Sequence, residues 1–145
     1  NASEAVKLAA RCQHIGRWKI ARSTYPDGKK GYLQWRNKLK DFHADLAARI
    51  LREAGYDDAT TQDVRLLVLK KELSHNPSTQ LLEDVVCLVF IQYYLKDFAE
   101  KHEPEKVIDI LRKTLKKMSP AAKQKAGSIL LDQPTSQLLG QAQSQ

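Results

Sequence analysis

Cysteine is scarce in this chain, which has only Cys12 and Cys87. Both fall inside apolar helical patterns, and neither has a partner at metal-ligand spacing. That excludes a disulfide framework and favours a reducing compartment, so the expected location is cytoplasmic. Long hydrophobic runs are missing as well. The longest, Val85 to Ile91, is flanked by Glu83, Asp84 and Lys96. It is far short of the roughly 20 apolar residues of a membrane span and reads as part of a buried helix, so no membrane partner is expected. No stretch alternates apolar and polar residues as a strand does. The first residues carry no signal-peptide pattern, lack an initiator Met and open on a helix cap. The expectation is therefore that the natural chain continues upstream, with a further helix before residue 1.

What is present is ordinary globular material: 145 residues, 42% hydrophobic and 28% charged, enough for one domain with a proper core. The net charge of +7 is unevenly spread. Residues 11 to 40 hold nine Lys/Arg against Asp27 alone, a local +8, whereas residues 41 to 104 hold seven against twelve acids, a local −5. The C-terminal stretch adds +4. Two basic zones suit an anionic partner, and they equally suit a solvated basic surface.

Periodicity places the helices. Ser3 caps a first helix with Ala5, Leu8, Ala9 and Cys12 on one face, stopped by Gly16. Arg17 to Gly31 is a long basic loop containing the turn Tyr25-Pro26-Asp27-Gly28. A second helix runs from about Tyr32 to Ala54, with Leu39, Phe42, His43, Leu46, Ala47 and Ile50 at helical spacing. Thr60 or Thr61 caps a third, with core residues Val64, Leu67 and Val68. Asn76-Pro77 opens a fourth that is apolar nearly all round and extends to about His102. Pro104 opens a fifth, and Ser119-Pro120 a sixth reaching about Leu131. The Gln/Ser-rich end from Asp132 onward is expected to be poorly ordered. The fold class is all-α: a compact single-domain bundle of about six helices over residues 1–131, followed by a flexible tail over 132–145.

Four segments hold residues capable of chemistry: Cys12 to Trp18, Gly31 to Arg36 followed by Phe42-His43-Ala44, Lys70-Lys71, and Gln80 with Glu83-Asp84. His43 lies on the apolar face of its helix, where a histidine is more often a hydrogen-bonded core residue than a ligand. Glu83 and Asp84 suit the positive end of a helix dipole. They also border a buried run, and a carboxylate there needs a partner, be it a cation or a metal. Trp18 and Trp35 read as core aromatics. His75 and His102 lie in polar surroundings and are given no role.

The stretch Ala9 to Gly16 resembles the A-x-L-L-H-D-I-G helix end of the HD-domain superfamily of metal-dependent phosphohydrolases. His43-Ala44-Asp45-Leu46-Ala47 and Leu82-Glu83-Asp84-Val85-Val86 resemble that superfamily's later ligand helices. A closer resemblance, spanning most of the chain, is to a family known only as a domain of unknown function, whose members are sometimes mislabelled glutamyl-tRNA synthetase. It rests on Gln13 to Trp18, Ile20, Arg22, Tyr25-Pro26, Gly31 to Arg36, Phe42 to Ala44 and Leu82 to Phe90. Lys113-Thr114 and Lys117 to Pro120 fit as well. That resemblance brings no function with it: no synthetase signature is present, and a domain this small cannot hold a complete synthetase.

The HD resemblance implies a hydrolase acting on a small phosphorylated or nucleotide-like anion. His14, His43 and Asp84, with Glu83 in reserve, would shape the reactive centre and hold one divalent metal ion. The chain departs from that pattern where Gln13-His14 replaces the paired His-Asp, so the bridging aspartate of a two-metal site is absent. The same residues can form a metal-free hydrogen-bonded cluster. In either case Arg17, Arg22, Arg36 and Lys71 would grip the anion, with Trp18, Trp35 and Gln80 beside them. The alternative is a catalytically inactive helical module that binds a nucleotide or RNA by charge and stacking. A weaker third reading is a structural or partner-binding module.

Overall fold

The computed structural model describes residues 2–70 and 76–144. Among these residues the structure is all-α, with eight α-helices, two short 3₁₀ turns and one π-helical segment. No described helix is long and apolar enough to cross a membrane. The chain divides into two compact units, Asn1–Leu82 and Glu83–Gln145.

The first unit is built on α1 (Glu4–Cys12), α2 (Gly28–Glu53) and α3 (Asp58–Val68). Side-chain caps set their starts. Ser3 Oγ accepts from the Val6 amide at 3.3 Å, and Asp57 Oδ1 accepts from the Thr60 amide at 2.7 Å. The cap of α3 is therefore Asp57 rather than Thr60 or Thr61, because Asp57 already satisfies the orphan donors one turn earlier. Both α1 and α2 pack on α3. The core joins Val6, Ala9, Ala44, Ala47, Leu51, Val64, Leu67, Val68 and Leu82. Ala9, Ala44 and Ala47 are fully buried, and side chains this small let helices approach closely.

Helix α2 starts four residues earlier than its periodicity predicts. Its buried stripe is Gly31, Trp35, Leu39, His43, Ala47 and Leu51, with Ala44 and Ala48 beside it. Ile50, expected inside, is exposed. Gly31 is the reason the helix can begin here: a Cβ at this position would lie 1.9 Å from the Pro26 carbonyl oxygen. The Tyr25-Pro26-Asp27 turn thus presses directly on the first turn of α2, and only glycine admits it.

In the second unit, α4 (Pro77–Val89, whose first turns belong to the first unit) runs through a π-helical segment, Phe90–Tyr94, into α5 (Leu95–Ala99). Asn76 Oδ1 accepts from the Ser78 and Thr79 amides, the cap expected of Asn76-Pro77. The expectation of one unbroken helix to His102 is corrected by the wide turn. Cys87, Ile91 and Leu95 are all buried. Such a four-residue repeat overruns the α-helical period by about 40° per step, and one π turn absorbs the drift.

Helix α6 (Pro104–Lys117) starts with proline as expected, and α7 (Pro120–Gly127) stops short of Leu131. The end of the chain, expected to be poorly ordered, is instead α8 (Gln133–Gln143), packed on α6. Asp132 caps it at Thr135, and Leu139 and Ala142 enter a core with Val107, Leu111, Leu115 and Met118. Glutamine and serine fill only its exposed faces, so composition hid the apolar stripe.

Candidate functional site

The candidate residues of the first unit gather where the segment between α1 and α2 folds back along α2. Gly16, after the end of α1, lies in the left-handed region (φ +66°), and a Cβ there would come within 3.0 Å of the Phe42 and Leu46 side chains. A 3₁₀ turn, Arg17–Lys19, follows, then a second, Arg22–Thr24. Arg22 is committed to this segment: its two terminal nitrogens donate to the Tyr25 and Pro26 carbonyls at 2.9 and 3.0 Å. It fixes the turn that presses on Gly31.

Trp35 anchors the segment from the other side. It is buried, and its Nε1–H donates to the Ile20 carbonyl at 2.9 Å. The Arg17 guanidinium lies 4.7 Å from the Trp35 ring centroid. Tyr32 stands 6.0 Å from Trp35, and the Arg36 guanidinium lies 5.9 Å from the Tyr32 ring, one turn along α2. The order Arg17, Trp35, Tyr32, Arg36 forms a ladder of cations and rings. No carboxylate pairs with Arg17 or Arg36 among the described residues. A guanidinium lying on a ring face keeps its in-plane N–H donors free for a planar anion.

The two histidines adjoin this ladder. His43 is buried, and its Nδ1–H donates to the Ile15 carbonyl at 2.7 Å, which fixes the neutral tautomer with Nε2 as acceptor. The His14 ring stands edge-on to it, 6.2 Å between centroids. Partial desolvation holds the His14 pKa below its ordinary value, and Arg17, His43, Lys70 and Arg36 lower it further in that order. Desolvation also lowers His43; the Ile15 hydrogen bond opposes this and Arg17 adds to it. Both rings are therefore held toward the neutral form, beside the positive charge of Arg17. Next to them, Gln13 Nε2 is buried without a hydrogen-bond partner among the described residues. Burial pushes the Cys12 thiol up, away from nucleophilic use.

In the second unit Asp84 is buried and carries a structural duty. Its Oδ1 accepts from the Ser119 amide at 2.8 Å and its Oδ2 from the Ser119 hydroxyl at 2.6 Å. Ser119 in turn caps α7 through Ala122. Glu83, also buried, lies 3.8 Å from Lys117 Nζ. Among the described residues, no group of three or more His, Cys, Asp or Glu stands close enough to hold a metal ion. The Ile15 carbonyl occupies His43 Nδ1 and leaves Nε2 as its open nitrogen, while both Asp84 oxygens accept from Ser119.

The remaining expected residues scatter. Trp18, expected in the core, is 79% exposed on its 3₁₀ turn; it lies outside every helix, so no apolar stripe draws it in. Gln80 is half-buried on α4, and Lys71 lies outside the described residues. Tyr32 and Lys70 fall within the segments singled out in the sequence but had no individual role there. Tyr32 stands four residues before Arg36, and Lys70, just past the end of α3 in the left-handed region (φ +53°), contributes charge at His14.

Comparison with curated proteins and with solved structures gives no match. A family profile does match, from residue 1 to residue 139, and by that match the chain belongs to the family described as a domain of unknown function, DUF4202.

Proposed function

We propose that the first unit is a binding module for a phosphate-bearing, nucleotide-type anion, gripped by Arg17 and Arg36 with Lys70 adding charge. The observation that carries this reading is the pair of guanidinium groups seated on Trp35 and Tyr32 rather than on carboxylates. Surface arginines are ordinarily compensated nearby, whereas these two leave their donor edges open and depress the neighbouring His14. A phosphate would accept bidentate hydrogen bonds from either guanidinium. It would also offer His14 a countercharge, so that binding takes up a proton as pH falls. Asp84 serves Ser119 in the second unit, so the reading rests on the first unit's own residues and is one of binding.

The test is calorimetric titration of the full chain with inorganic triphosphate and with ATP at low and moderate salt. Both should bind, more weakly as salt rises, and Arg36→Glu should weaken each at least tenfold. Equal affinity in the wild type and the variant would return this charge to ordinary solubility.

A further inference from the structure

Resting on that reading, we infer that the natural ligand of this face is a single-stranded nucleic acid, an RNA strand whose bases stack on Trp18 and Tyr32. Three observations carry the inference.

The first is exposure. Trp18 is 79% exposed, more than any other Phe, Tyr or Trp among the described residues, and Tyr32 is 44% exposed; tryptophan is on average highly buried. Each is attached to something fixed. Trp18 sits on the short turn Arg17–Lys19, tied down by Arg17 on Trp35 and by the Trp35 bond to Ile20. Tyr32 sits on the first turns of α2 against Trp35. With the backbone held at both residues, only side-chain freedom is lost when a base stacks on them.

The second is the extent of the charge. Tyr32, Arg36 and Lys40 follow one another at four-residue spacing along α2, and Lys29 lies on the same side. Residues 29 and 40 are separated by about 16 Å of helix rise. With Arg17 and Lys19 flanking Trp18, residues 11–40 hold nine basic residues against one acid. A mononucleotide needs two or three such contacts, whereas a track of this length matches successive backbone phosphates.

The third is shape. Arg17, Trp18, Lys19, Lys29, Tyr32, Leu33 and Arg36 are all exposed, so the surface is open. It suits a strand laid along it better than a small molecule that must be enclosed. Basic side chains interleaved with exposed rings are the arrangement that binds single strands through backbone charge and base stacking, with little sequence preference.

The experiment measures fluorescence anisotropy of a labelled 12-nucleotide RNA of mixed sequence. Its competitors are the same strand annealed to its complement, ATP and inorganic polyphosphate. The full chain is compared with Trp18→Ala, Trp18→Phe and Arg36→Glu. Because Trp18 is exposed, its variants should fold, and circular dichroism melts will verify this. The inference expects the single strand to bind more tightly than the duplex or ATP, and Trp18→Ala to weaken it roughly fivefold or more. Trp18→Phe should recover most of that loss, and polyphosphate binding should be indifferent to position 18.

If Trp18→Ala binds the single strand as the wild type does, or if the duplex binds equally well, stacking is not used and the inference falls. The anion reading would survive either result. If ATP and triphosphate bind but the strand does not, the inference again fails alone. If no anion binds at all, both fail.

Discussion

Trp35→Phe is the substitution that most sharply isolates what holds the site together. Phenylalanine keeps the apolar bulk in a buried position but removes the Nε1–H that donates to Ile20. The Ile20 carbonyl then loses its partner in a half-buried setting, which costs about 1–2 kcal/mol. Arg17 also rests on a weaker ring face, a loss of up to about 1 kcal/mol. Together these predict a destabilisation of about 1–3 kcal/mol. Both tryptophans of the chain lie in the first unit, so in the variant Trp18 alone reports that unit's unfolding. The assay is urea denaturation followed by tryptophan fluorescence, with the slope compared so that a change of midpoint can be read as stability. A double-mutant cycle with Arg17→Ala separates the two contributions and should return a coupling near 0.5–1 kcal/mol. A loss below about 0.5 kcal/mol with no coupling to Arg17 would refute the claim that Trp35 anchors the segment.

Other expectations follow from single contacts. Asp84→Ala leaves the Ser119 amide without its acceptor and should cost the second unit about 2–3 kcal/mol, read by circular dichroism melts, without changing triphosphate affinity; a large loss of affinity would give Asp84 a part in the site. Acidification should destabilise the first unit. The unfolded histidines bind protons near pH 6.5 whereas folded His14 and His43 do so only at lower pH. Stability is thus complete above about pH 6.5 and declines as pH falls toward the folded values. A urea midpoint that stays flat between pH 8 and 5 would contradict the buried, neutral assignment.

Much of the fold is legible in the sequence because its signals are local. Ser3, Asn76-Pro77, Pro104 and Ser119-Pro120 open helices where they are expected to. What is not legible depends on partners distant in sequence. The spacing of Trp35 from Gly31 and Leu39 marks it as buried, but that its indole bonds to Ile20 depends on how the basic segment folds back. Trp18 has the same composition cue and the opposite fate, since it belongs to no stripe. The start of α2 at Gly28 is hidden because Gly28, Lys29 and Lys30 are poor evidence for a helix until Pro26 is seen to close on Gly31. In α8, glutamine and serine mask Leu139 and Ala142. Of the expected residues, Arg17 and Trp35 meet, with Arg36 one turn further along α2, as their closeness in sequence suggests, whereas Arg22 is engaged on Tyr25 and Pro26. The carboxylates Glu83 and Asp84 carry no such proximity in sequence, and the contacts seen for them are with Lys117 and Ser119 of their own unit.

The His14 imidazole offers the most direct test of the account, because it adjoins the guanidinium ladder and senses its charge. Proton NMR titration of the histidines, with His14→Ala providing the assignment, gives its pKa with and without saturating ATP. In the free chain that pKa should lie below 6.5, the ordinary histidine value, held there by desolvation and by Arg17, His43, Lys70 and Arg36. Bound phosphate compensates that field, so the pKa should rise when ATP is present, and Arg36→Glu should raise it even without ligand. An imidazole that titrates identically with and without saturating ATP would contradict an anion seated at Arg17 and Arg36.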